Sequence, residues 1–274
     1  MIDALIETQD STLKTVQAVL RSLLVSGTVD ALLVPISLPS GSVAPMLVKD
    51  PAALDQANPL APVLPINAAR AAALLTATNH QHTLGLVLRP CEIRALVELT
   101  KFQQASLDNA LIIGIDCLGT YSVTDYQAAE EGQLLDQLLA GATSGEPKPC
   151  DGLDFRAACQ ICEQPLPDGG HLALTLGLVG VDPGSLYLRA RDDLAEPLGI
   201  TAGGPPSGRA AAAQTYIDAR TQARDTAFTQ FRDRVNSMDG LLQEFSSCIR
   251  CHNCMINCPI CYCRECIFRT PTFE

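Results

Sequence analysis

The chain contains no tryptophan, and aromatic residues make up only 4% of it. Proteins that bind nucleic acid by stacking bases need aromatic platforms, so that class is poorly supported. Basic residues are also scarce. Lysine and arginine number 19 against 30 aspartates and glutamates, a net charge of −11, which argues against polyanions and acidic membrane surfaces as partners. No apolar run reaches the roughly 18–20 residues needed to span a bilayer. The opening MIDALIETQDSTLK carries acids early and lacks the basic start of a signal peptide. The expected compartment is the cytoplasm, or a membrane face reached through partner subunits. Walker loops, GxGxxG turns, internal repeats and charge blocks are all missing.

Cysteine, by contrast, is abundant, with 12 in 274 residues. Without an export signal, metal or redox chemistry is favoured over disulfides. The clustering points the same way, because closely spaced CxxC units hold their sulfurs around one point.

At 47% hydrophobic, the chain suffices for one sizeable core or one domain with an appendage. Apolar residues at helical spacing predict a helix over 12–25, with Asp10 or Ser11 as N-cap and Gly27 as stop. ALLVPI (31–36) and VAPMLV (43–48) read as strands around the turn PSGS (39–42). A helix over 66–78 precedes a strand at 84–89, a helix over 91–102 and a strand at 110–116. Strands recur at 172–180 and 185–190 after a loop-rich stretch at 141–170. GGPPSG (203–208) is a linker or helix entry, and 209–246 reads as one long, alanine-rich helix. The fold class is therefore α/β, a mixed sheet covered by helices. It is followed by the long helix and a small cysteine-rich module. The expected divisions are 1–200, 201–247 and 248–274.

The chemistry begins with that module, CIRCHNCMINCPICYCRECIF (248–268). Cys248, Cys251, Cys254 and Cys258 have the CxxCxxCxxxCP spacing that wraps an Fe4S4 cube. Either Cys258 or one of Cys261, Cys263 and Cys266 closes it. The alternative is a zinc knot built from the CxxC pairs. His252 reads as a solvated bystander, and His80, His82 and His171 as surface or loop residues.

Cys117, Cys150, Cys159 and Cys162 form the second constellation. Cys117 follows a strand end, where open α/β sheets place ligands, and Cys159 and Cys162 are a CxxC pair. Together they can gather a second 4Fe-4S cube, or else comprise a buried Cys117 beside a zinc or idle pair. The third feature is RPCEIRAL (89–96), in which Cys91 opens a helix whose N-terminus favours anions such as a cofactor phosphate. A helix start with a buried cysteine is the plainer alternative.

Several of these stretches resemble the beta-subunit family of deazaflavin (F-420) hydrogenases and dehydrogenases. They are LLVSGTVDALLV, APMLVKDPAAL, GLVLRPCEIRALVEL, IDCLGT and CQICE followed by HLALTLGLVG. The resemblance covers about residues 12–185. The cysteine-rich ending is similar to the ferredoxin-like segment of bacterial members associated with formate dehydrogenases and heterodisulfide reductase-like complexes. The resemblance implies an α/β domain that binds a flavin, FAD rather than FMN, together with 4Fe-4S clusters. Where the family has a paired-glycine turn, this chain has DSTLKTVQAVL, in which Ser11, Thr12 and Lys14 can offer polar contacts, with Arg89 and Cys91 completing the expected cofactor site. The implied function is electron transfer within a larger oxidoreductase. A flavin-free relay and a zinc-stabilised scaffold are the rivals.

Overall fold

The fold is that of a computed structural model, which describes residues 1–77, 81–249 and 251–260. Cys261, Cys263, Cys266 and His80 of the readings above lie outside the described residues.

Seven strands form one mixed sheet. They are β1 (Ile2–Glu7), β2 (Ala31–Ser37), β3 (Val43–Val48), β4 (Leu84–Leu88), β5 (Ala110–Ile115), β6 (Leu172–Gly177) and β7 (Ser185–Ala190). Their spatial order is β1-β7-β6-β5-β4-β2-β3. The central β2, β4, β5 and β6 run parallel, while β3, β7 and β1 join antiparallel on the two flanks.

Parallel strands are covered on both faces, and alternation along each strand divides the core accordingly. Leu32, Val34, Val87, Ile113 and Ile115 belong to the larger apolar cluster, together with α1 (Thr12–Val25). Ala31, Leu33, Leu86, Leu88 and Ile112 point into the second cluster, beneath α2 (Ala69–Thr76) and α3 (Pro90–Lys101). Helix α1 forms where the apolar spacing predicts it. Val16, Leu20 and Leu23 are fully buried, each burial contributing about 1.5–3 kcal/mol. The Ser11 side chain caps the helix by accepting the Lys14 N–H at 3.2 Å.

Three features go beyond the sequence reading. Strand β1 closes one edge of the sheet against β7 and buries only Ala4 completely. The stretch 121–142, unassigned above, folds as α4 (Val123–Ala128) and α5 (Glu131–Ala142), with Leu134 and Leu138 in the core. After the short α6 (Ala157–Gln160) and α7 (Ala195–Leu198), the expected helix over 209–246 divides into α8 (Arg209–Arg234) and α9 (Met238–Glu244). The division is local. Extended Ser237 starts a new helix by accepting the Gly240 N–H through its hydroxyl, which is what an N-cap serine does.

Candidate metal and cofactor site

The site grows from the carboxyl ends of two neighbouring parallel strands, where open α/β sheets leave a crevice. Leu88 of β4 pairs with Gly114 of β5. Three residues beyond Leu88 is Cys91, and three beyond Gly114 is Cys117, so the register delivers both thiols to the same edge. Arg89 and Pro90 turn the first strand into α3, placing Cys91 in its first turn. Glu92 holds that turn, accepting the Arg89 N–H at 2.9 Å and the Ala68 N–H at 2.7 Å. Burial raises the Glu92 carboxyl above its ordinary value, against the lowering effect of those two amides.

The second strand end is pinned differently. Asp116 is buried and receives the Leu178 and Val179 N–H groups at 2.8 and 3.0 Å. Arg209, the first residue of α8, forks onto the same carboxylate at 2.8 and 3.1 Å. The next turn needs its glycine. Gly119 has φ +111, and a Cβ there would stand 2.8 Å from the Phe155 ring. Thr120 follows and lies 3.1 Å from the Cys159 sulfur. Its carbonyl accepts the Arg156 N–H at 2.8 Å, which brings α6 and the CxxC pair over the strand ends.

Cys91, Cys117, Cys159 and Cys162 consequently line one cavity of about 790 Å³. Burial pushes the Cys91 thiol up to about 12, and the Cys117 and Cys162 sulfurs add to the rise. Burial also raises Cys117, with Cys159 and Cys162 contributing. Among the described residues, no three histidine, cysteine or acidic side chains are close enough to share a single metal ion; the four thiols are distributed around the cavity. Arg70, Arg94, Arg156 and Arg224 also border it, with Glu163 as the one acid among the described residues. Arg224 is ion-paired to that Glu163, and Arg156 donates to the Leu64 carbonyl at 2.9 Å.

Cys150 is elsewhere. It is half-buried against the main core, and its N–H donates to the Tyr121 hydroxyl at 3.0 Å. It is not among the residues lining the cavity. Ser11, Thr12 and Lys14 do not border the cavity either. Ser11 is occupied as a helix cap, Lys14 is exposed, and Thr12 edges a separate hollow of about 230 Å³ with Asp136 and Asp182. Arg89 is buried, and its Nη2 donates to the Ala61 carbonyl while its Nη1 has no partner.

Sequence reasoning missed the fourth wall, which is α8. Tyr216, Arg224 and Phe228 line the cavity from this helix. The Tyr216 hydroxyl donates to the Cys117 carbonyl at 3.0 Å, and Arg220 Nη1 donates to the Cys159 carbonyl at 2.6 Å. Burial raises the Tyr216 hydroxyl, with Arg220 opposing and the Cys117 and Cys162 sulfurs adding. The signal was an i, i+4, i+8 row of Tyr, Arg and Arg in a helix otherwise rich in Ala, Thr and Gln.

The cysteine-rich segment returns to the same place. Cys248, Cys251 and Cys254 are exposed and Cys258 is half-buried. Left-handed His252 (φ 58) leads into the single turn α10 (Asn253–Ile256). Asn257 and Pro259, on either side of Cys258, border the cavity.

No family model matches the chain. It is 23% identical over 214 residues to the F420-dependent formate dehydrogenase 1 subunit beta of Methanococcus maripaludis, covering 67% of this chain and 55% of that protein. The F420-dependent formate dehydrogenase subunit beta of Methanocaldococcus jannaschii is 27% identical over 212 residues, with the same coverage. The chain thus spans about half the length of the curated relatives it matches. Among solved structures, a chain of the xenon-derivatised F420-reducing [NiFe] hydrogenase complex from Methanosarcina barkeri superimposes with a TM-score of 0.58 at 12% identity. The overlap covers 87% of this chain and 94% of that one. The resemblance carried by the motifs stands: the chain is similar to F420-dependent formate dehydrogenase beta subunits and shares the fold of the hydrogenase chain.

Proposed function

We propose that the chain is an iron–sulfur electron-transfer subunit of a larger oxidoreductase, and that Cys91, Cys117, Cys159 and Cys162 hold a 4Fe-4S cluster. The carrying observation is that cysteines from three separate segments line one cavity at the carboxyl edge of a parallel sheet. The donor set fits the group, since four thiolates are its usual ligands. A second 4Fe-4S cluster belongs to the terminal run, with Cys248, Cys251 and Cys254 as ligands and Cys258 or a later cysteine as the fourth. Clusters of this kind pass single electrons at potentials set by their surroundings.

A flavin or deazaflavin is assigned to the same cavity rather than to Ser11, Thr12 and Lys14. The volume lies within the range of cofactor sites. Arg70, Arg94 and Arg156 give its rim a positive character in a chain of net charge −11, which suits a phosphate-bearing ligand. Such a cofactor, when bound, exchanges single electrons for hydride-type transfer. The residues have simpler tasks. Arginines orient the anionic group, Pro90 and Pro165 limit water, and Asp116 and Glu92 hold the two strand ends in place.

Membership of a complex is supported by the relatives' names and by the surface. Phe228, Phe231, Leu242, Phe245 and Ile249 are exposed along the approach to the terminal cysteines, and apolar exposure of that kind marks interaction sites. Among the described residues no helix is long and apolar enough to cross a membrane.

The test is a visible spectrum of anaerobically purified protein with analysis of flavin released by acid. Broad brown absorption with released flavin supports the full reading. Brown protein without flavin, even after reconstitution, leaves a cluster relay. Colourless protein containing zinc overturns the proposal.

A further inference from the structure

Arg220 is 8% exposed, and among the described residues no carboxylate pairs with it. Its partners are neutral. Nη1 donates to the Cys159 carbonyl at 2.6 Å and Nη2 to the Tyr216 hydroxyl at 3.2 Å. The guanidinium stacks 4.9 Å from the Phe155 ring centre and 5.1 Å from that of Tyr216. An arginine is a permanent cation, and a buried charge without a counter-charge is costly. The other arginines on this face of α8 have theirs. Arg209 is paired to Asp116 and Arg224 to Glu163. The backbone it holds belongs to Cys159, one of the four cysteines that line the cavity.

We propose that Arg220, backed by Tyr216, is a positioning residue that raises the reduction potential of the cluster held by Cys91, Cys117, Cys159 and Cys162. The inference rests on the cluster reading above. Two effects combine. Four thiolates give the cluster a net negative charge, and adding an electron makes it more negative. A fixed cation in a low-dielectric wall favours the reduced form. The two hydrogen bonds also set positive donor hydrogens against the Cys117 and Cys159 carbonyl oxygens, which offsets part of the negative potential that those oxygens present to an added electron. Because α8 leads through α9 to the terminal cysteines, the residue that tunes the cavity cluster stands on the helix joining the two cluster sites.

The experiment is an EPR-monitored redox titration of the full chain, purified anaerobically, as parent, Arg220→Gln, Arg220→Lys and Tyr216→Phe. The Cys159→Ser variant identifies the cavity signal, and the terminal cluster serves as internal reference. The expected result is a midpoint shifted to lower potential in Arg220→Gln, a smaller shift in the same direction in Tyr216→Phe, and Arg220→Lys between Arg220→Gln and the parent. Iron content and the terminal midpoint stay as in the parent. An Arg220→Gln protein that keeps its iron and titrates at the parent midpoint overturns the inference alone. Should Arg220→Gln fail to fold or lose its iron, Tyr216→Phe decides by the same criterion. A parent without a cavity signal overturns the cluster reading and this inference with it.

Discussion

Leu88 and Gly114 lie opposite each other in two parallel strands, and the third residue after each is a cysteine. Neighbouring strands are about 4.8 Å apart, so this register alone brings Cys91 and Cys117 to adjacent points on the crevice edge. The remaining two thiols arrive on a loop tied to the Cys117 turn through Thr120.

The arrangement separates two cysteines that look equivalent in the chain. Cys159→Ser is expected to remove about four iron atoms per chain, and Cys150→Ser to remove none. Iron and sulfide assays on the two variants check this. Loss of iron in Cys150→Ser with retention in Cys159→Ser would reverse the ligand assignment.

Asp116 is fully buried and forked by Arg209. Removing one partner of a buried pair leaves the other charge stranded, at a cost of about 3–5 kcal/mol. Asp116→Asn should therefore lower the unfolding midpoint markedly and loosen the start of α8. Limited proteolysis near Arg209 reports the second effect, and an unchanged cleavage rate would show that α8 is held by other contacts.

Gly119 combines a left-handed φ with close approach to Phe155. Gly119→Ala should destabilise by about 1–3 kcal/mol through strain and displace the turn between Cys117 and Thr120. The expected result is a lower thermal midpoint together with reduced iron retention. A variant as stable and iron-rich as the parent would contradict the described turn.

Much of this was legible in the sequence. The strands at 31–36 and 185–190 and the helix at 12–25 are legible because buried strands read as apolar runs and α1 has a clear 3.6-residue stripe, and the edge strand at 43–48 is marked by the turn before it. Strand β1 is not legible, because IDALIE is an edge strand with one buried side chain and two acids. That Cys91 lines the cavity and Cys150 does not depends on which strands are neighbours, a fact of topology that spacing does not contain. Tyr216 and Arg220 lie on the helix that the sequence reads only as long and alanine-rich, and their shared spacing with Arg224 is what marks its covered face. The expected cofactor site grouped Ser11, Thr12 and Lys14 with Arg89 and Cys91, of which Cys91 lines the cavity, and the arginines gather around that cavity when α2, α3, α6 and α8 meet.

Glu92 offers a pH test of the α3 turn. Its folded value is raised above 4.5, chiefly by burial. A carboxyl raised in this way contributes most to stability below 4.5 and loses that contribution as pH climbs toward its folded value. Glutamine at this position keeps one acceptor and loses the other, a penalty of about 1–3 kcal/mol. Glu92→Gln should be less stable than the parent near pH 5, with the gap narrowing by pH 8. Thermal midpoints of both proteins at the two pH values check the sign, and a gap that widens with pH would contradict it.

The most direct measurement removes the terminal cluster and counts what is left. In Cys251→Ala protein, purified anaerobically, the cavity ligands predict about four iron atoms and four acid-labile sulfides per chain. Further substitution of Cys91 should abolish both. A Cys251→Ala protein with no iron and no sulfide, or one holding zinc in their place, would contradict the account.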